Sequence, residues 1–283
     1  MTQLDHSAQI FHRRGVEFDV FWLVYPVLGA FIGFVAGLLG VGGGGVMVPM
    51  LTSLFLMQGF PHELVVHLAL GTSMAAIVPT SIASLREHHR HGAVRGLVLK
   101  RITLGILLGT FAGTFIASRV ETRALAIFFA VFMSYVSFQM FAGIRPSPHR
   151  ELPSFAVTSL VGFGIGLISA LVAIGGGSLS IPFMLFSNIP MAAAVGTSAA
   201  IGLPIALSGT LGYLVNGLGV EGAPPYSFGF IYLPAFVLIS GVSVLTAPLG
   251  AKLAHRLPVQ TLKRVFAVVL LMLAAKMVHG VFF

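Results

Sequence analysis

Four consecutive glycines, Gly42, Gly43, Gly44 and Gly45, interrupt an apolar stretch and are followed by Pro49. Shifted by 133 positions, the first three land on Gly175, Gly176 and Gly177, and Pro49 lands on Pro182. A glycine inside a helix costs about 1 kcal/mol relative to alanine. The runs therefore mark two breaks at matched places, and two copies mean a duplicated unit. Other matches follow in the same order: Gly71-Thr72-Ser73 with Gly196-Thr197-Ser198, Pro79 with Pro204, and Arg119 with Arg256. Shared apolar character alone does not align a Gly-Thr-Ser triplet, a proline and an arginine in order, so the halves are internal repeats.

Of the 283 residues, 57% are hydrophobic and only 8% charged, against about 25% charged in soluble domains. Long apolar runs bounded by charge clusters recur, and crossing about 30 Å of hydrocarbon takes roughly 20 helical residues. No segment alternates at period two, which disfavours a β-barrel. The expected fold is all-α, a polytopic membrane helical bundle of 8 to 10 spans made of two homologous repeats, predicted to be inverted, with glycine-broken short helices. The chain has no cysteine, and nothing in it calls for a metal or cofactor. Its net charge of +8 comes from short basic clusters between apolar runs, a pattern of membrane topology rather than nucleic-acid binding.

An N-terminal tail, 1–19, shows no cleavage signature of a signal peptide. The first repeat, 20–143, contains predicted helices at 20–39, 46–57, 62–85, 96–118 and 124–143. A linker, 144–153, leads to the second repeat, 154–283, with helices at 154–174, 178–187, 191–215, 230–254 and 259–281. The short segments 46–57 and 178–187 either cross or are re-entrant. The loop 86–95 and its shoulder hold Arg86, Arg90, Arg95, Lys100 and Arg101, while its counterpart, 216–229, holds no lysine or arginine. Conversely, the last interhelical loop has Lys252, Arg256, Lys263 and Arg264 against Arg119 and Arg123 in the first half. The positive-inside bias thus reverses between halves, as inverted repeats predict. It places the 86–95 loop, the linker and the last interhelical loop in the cytoplasm.

Non-helical backbone at membrane depth is tolerated only against protein or a wet cavity. Paired interruptions at matching positions point to a transporter's binding site. Gly42, Gly43, Gly44, Gly45, Gly175, Gly176 and Gly177 are therefore candidate substrate-binding backbone, each run opening a short helix whose N-terminal amides suit an anion. Close helix packing through small residues is the competing reading. Thr72, Ser73, Thr197 and Ser198 offer hydroxyl donors, or simply back-bond within their helices. Ser178 has glycine as its counterpart and adds asymmetry. No acid falls clearly within a span, so a buried-carboxylate proton relay is not visible. His67 reads as a packed neutral histidine, and His88, His89 and His91 as loop charge rather than a metal site. An intramembrane hydrolase would pair His67 with Ser73 or Ser198, a thin constellation, so no enzyme is expected.

The twice-repeated glycine triplet and proline, each followed by Gly-Thr-Ser, resembles the TauE/SafE sulfite exporter family of membrane permeases over about residues 20–280. The resemblance implies a multi-pass protein of the bacterial cytoplasmic membrane that moves small sulfur-containing anions such as sulfite or organosulfonates. Its partners would be the lipid bilayer and a small anionic substrate, with a coupling proton or other ion left open. A passive anion channel is the alternative. The first repeat departs from the second by its fourth glycine, where the second has Ser178.

Overall fold

A computed structural model describes residues 21–39, 43–142, 151–254 and 259–282. The N-terminal tail, Gly42, most of the linker and Arg256 lie outside the described residues. In the first half the helices are α1 (Phe21–Leu39), α2 (Gly44–Met57), α3 (Val65–Arg90), α4 (Gly96–Ala117) and α5 (Thr122–Ala142). The second half has α6 (Phe155–Val172), α7 (Gly177–Phe186), α8 (Met191–Gly217), α9 (Leu233–Ala254) and α10 (Val259–Phe282). Among the described residues, seven helices are long and apolar enough to cross a membrane. Their outer faces expose large side chains such as Leu23, Val131 and Leu245. The fold is a polytopic helical membrane bundle.

Two details differ from the sequence reading. The 86–95 segment is not all loop, because α3 continues to Arg90. Glu87 is buried there and faces Arg90 and His91 one turn on, a spacing at which helical side chains meet. The Gly/Pro-rich stretch before α9 also forms a two-residue ribbon, β1 (Ser227–Phe228) paired antiparallel with β2 (Ile231–Tyr232). Strands this short leave no periodic signal.

The helices interlock across the two halves. Gly29, Gly33 and Gly37 of α1 lie in turn against Ile239, Ser243 and Ala247 of α9. Gly105, Gly109 and Gly113 of α4 lie in turn against Ser159, Phe163 and Leu167 of α6. Both pairs are parallel, and in both the missing Cβ lets two backbones touch. The central pair, α3 and α8, is antiparallel: Met74 meets Gly209 and Ser81 meets Gly202. Ala93, just past α3, meets Gly196 near the start of α8. This register sets the matched prolines, Pro79 and Pro204, at one level. Arg123 at the start of α5 lies over Phe282 at the end of α10, so that pair is antiparallel too. Together these contacts relate the halves by a pseudo-two-fold axis lying across the helices, the arrangement of inverted repeats.

The helix pairs α1–α2 and α6–α7 are hairpins. Tyr25 near the start of α1 donates to Gln58 just beyond α2 at 3.0 Å, so α2 returns to the face where α1 began. At about 1.5 Å per residue α2 is roughly 21 Å long, short of a full span. The mirrored hairpin enters from the opposite face, and the two meet at their tips. Arg101, at the shoulder of the basic loop, donates to Pro153 O at 2.7 Å. That bond puts the 86–95 loop and the end of the linker on one face.

Candidate functional site

The two breaks have the same local geometry. Gly43 and Gly176, one residue before α2 and α7, adopt φ of 75° and 79°, a left-handed conformation that favours glycine. Each carbonyl then accepts the first turn's N–H groups, Val46 and Met47 in one half, Leu179 and Ser180 in the other. Gly43 rests on Ile32 and Gly176 on Ile165, residues again separated by 133 positions. Neither helix start carries a side-chain cap. Two amide-rich, partially positive termini therefore approach the middle of the bundle from opposite directions.

The breaks touch. A Cβ on Gly44 would overlap the carbonyl oxygen of Ala173, which ends α6 in a left-handed conformation with φ 48°. Beside this contact, Ala36, Thr80, Ser81, Ser84, Gly175, Ala199 and Gly202 enclose a cavity with room for about one water molecule. Thr80, Ser81 and Ser84 lie on one face of α3 at helical spacing. Thr80 donates to Ala76 O at 2.8 Å, and its Oγ1 lies 2.6 Å from Ser243 Oγ on α9. A Cβ on Gly202 would lie 3.2 Å from both Ser81 Oγ and Gly175 O. The Ser84 hydroxyl is buried without a hydrogen-bond partner. Leaving such a group unpaired costs roughly 1–3 kcal/mol.

At the pseudo-symmetric positions of α3 and α8 the space is filled, while Ala36 is matched by Ser169, whose hydroxyl is buried without a hydrogen-bond partner, and Gly175 by Gly42, outside the described residues. At the matched positions of α8, Thr80, Ser81 and Ser84 become Ile205, Ala206 and Gly209, while Ala199 and Gly202 become Met74 and Ile77 on α3. Met74 packs its sulfur against Gly209, Ile205 packs on Gly176, and Ile77 packs on Gly44. Hydroxyls of α3 on one side and the apolar side chains of Met74, Ile77 and Ile205 on the other make the centre asymmetric.

The Gly-Thr-Ser triplets do not line that cavity, and their glycines and threonines fasten loops. Thr72 Oγ1 accepts the Tyr232 N–H at 2.9 Å, and Thr197 Oγ1 accepts the Arg95 N–H at 2.9 Å. Gly71 admits the Phe230 backbone and Gly196 the Ala93 backbone. Ser198 donates to Val195 O at 2.8 Å, whereas Ser73 Oγ is buried with no hydrogen-bond partner. Ser178 Oγ, in the first turn of α7, is likewise buried without one but does not line the cavity. Of the residues predicted for the site, the structure brings together Gly43, Gly44, Gly175, Gly176 and Gly177, with Gly45 beside them in the first turn of α2. It sets Thr72 and Thr197 in the loop anchors, and neither they nor Ser73 and Ser198 line the cavity.

His67 is also a fastener. Its Nε2 lies 3.1 Å from both the Ala117 and Val120 carbonyls, and its ring stacks on Phe230. It ties α3 to the turn between α4 and α5 and to the ribbon before α9. The serines of a hydrolytic constellation are not among these contacts. No cluster of three or more histidine, cysteine, aspartate or glutamate residues suited to a metal ion occurs among the described residues.

Two glycine-broken hairpins entering from opposite faces and meeting inside a duplicated helical bundle define a polytopic membrane transporter of the inverted-repeat kind. The sequence model of the sulfite exporter TauE/SafE family matches residues 25–277, and the chain belongs to that family. It is 36% identical over 258 residues to a probable membrane transporter protein of Haemophilus influenzae, covering 91% of this chain and 98% of the relative. It is 24% identical to the probable membrane transporter protein YunE of Bacillus subtilis, over 92% of this chain and 99% of the relative. No solved structure gives a significant match.

Proposed function

We propose that this chain is a secondary transporter that exports small sulfur-containing anions, such as sulfite or organosulfonates, across the cytoplasmic membrane by alternating access. The observation that carries this reading is the contact of the α2 start with the second break, with one hydroxyl-lined cavity beside it. Amides at the start of α7, supported by those of α2, would replace part of an oxyanion's hydration shell. Ser81 and Ser84 take the donor role that the sequence suggested for Thr72 and Thr197, whose oxygens hold loop backbone. No carboxylate lines the cavity among the described residues. Substrate class and outward direction rest on the name of the family, a sulfite exporter. Rocking of one repeat against the other, with the antiparallel pair α3–α8 as the sliding contact, exposes the site to each face in turn.

Flux in proteoliposomes tests the proposal, with sulfite, sulfoacetate, taurine, thiosulfate and sulfate offered with and without a pH gradient. Accumulation against a gradient or trans-stimulated exchange of a sulfur oxyanion is the expected result. Downhill flux alone, without exchange, replaces the carrier with a channel, and absence of flux for all five compounds rejects the substrate class.

A further inference from the structure

The outer face of α4 and α8 carries a groove that the central cavity does not use. Leu107, Leu108, Phe111 and Phe115 of α4 and Leu207 and Leu211 of α8 line it, and it measures about 780 Å³. The polar side chain in its wall, Ser208, is turned into the α4 backbone, donating to Leu107 O at 2.7 Å. From Leu107 to Ile116 the wall runs about 14 Å at ~1.5 Å per residue. That is half of a hydrocarbon core about 30 Å thick, the depth of one leaflet.

A cation stands at one end of this apolar channel. The Arg119 guanidinium sits 3.4 Å over the centroid of the Phe115 ring, which lines the groove, and donates to Phe115 O at 2.9 Å. These contacts hold it against the groove while it stays solvent-exposed. A guanidinium has five N–H donors in a planar fork, so donors remain for an outside acceptor. The other half does not repeat the arrangement. The positions matched to Phe111 and Phe115 are Pro248 and Lys252, and there the aromatic wall is missing.

We propose that the groove holds one acyl chain of an anionic phospholipid whose phosphate pairs with Arg119. Leaflet-long apolar walls take the chain, and the guanidinium takes the headgroup through charge-assisted, bidentate hydrogen bonds. The lipid seats against α4 and α8, and α8 also lines the central cavity through Ala199 and Gly202, so its occupancy bears on the stability of the α4–α8 interface.

The test uses the full chain in mild detergent, stripped of lipid and offered phosphatidylglycerol or phosphatidylcholine, with retained lipid counted by native mass spectrometry. One phosphatidylglycerol per chain is expected to be retained in preference to phosphatidylcholine. Arg119→Gln lowers that preference about fivefold, the factor equivalent to about 1 kcal/mol for one basic residue beside an anionic headgroup. Ala112 also lines the groove, and Ala112→Trp fills it and loses the retained lipid although Arg119 is intact. Both substitutions face outward, and unchanged helical circular dichroism with a single gel-filtration peak certifies the fold. Equal retention of phosphatidylglycerol by the wild type and both variants overturns the proposal. So does a dimer that Ala112→Trp dissociates without loss of lipid, which would assign the groove to a second copy of the chain.

Discussion

Thr72 and Thr197 exchange places under the pseudo-two-fold axis, each giving its side-chain oxygen to the backbone N–H of a residue at the approach to a helix of the other half. The donors, Tyr232 and Arg95, are themselves matched positions. Both threonines are fully buried, so water is not at hand to replace either acceptor. Thr72→Val and Thr197→Val should each lower stability by about 1–3 kcal/mol, the cost of an orphaned buried N–H, and serine at either place should restore most of it. Thermal unfolding in detergent reads this. Full stability with lost transport would instead return these hydroxyls to the substrate.

Ser84 separates stability from transport in the opposite sense. Its hydroxyl has no partner in the fold and lies at the cavity, so Ser84→Ala should raise stability by about 1 kcal/mol. Loss of a hydrogen bond to a charged ligand, about 1.5–3 kcal/mol, should at the same time raise the transport KM roughly tenfold or more. Ala199→Leu, which fills the same cavity, should stop flux while the protein still inserts and purifies. Wild-type flux in both variants would remove the cavity from the mechanism.

The glycines of α4 and α6 offer a matched contrast. A side chain on Gly109 would collide with the Phe163 backbone, whereas one on Gly164 would meet nothing within 4 Å. Gly109→Leu should force α4 and α6 apart and sharply reduce the yield of monodisperse protein. Gly164→Ala should be neutral or stabilising by up to about 1 kcal/mol, the helix-propensity gain. Comparable yields for both substitutions would mean that the α4–α6 contact tolerates separation.

Repetition was a good guide to architecture and a poor one to the cavity. Matched glycines located both breaks, and the structure brings Gly44 against the end of the other break. The same criterion gave Thr72 and Thr197 weight because they recur, and what recurs there is a loop anchor that both halves need. Ser81 and Ser84 escaped it because their counterparts are Ala206 and Gly209. The signal that could have found them was the departure from symmetry, polar in one half and apolar or bare in the other. The ladders Gly29-Gly33-Gly37 and Gly105-Gly109-Gly113 are glycines at every fourth position, a mark of close helix packing that matching between the halves passes over. Which helix each ladder faced was not legible, because the partners α9 and α6 lie far away in sequence and carry no complementary mark.

The parallel pairs α1–α9 and α4–α6 also bear on how such a chain arose. Each glycine ladder finds its mate only in the other half, so a chain ending at the linker would have two bare backbone seams and no helix of its own to close them. An identical copy inserted the opposite way up would supply both mates at once. A half-length ancestor of this fold would thus have been stable only where it entered the membrane in both orientations and paired head to tail. Fusion of two such copies would make that pairing permanent and leave each half free to line the centre differently.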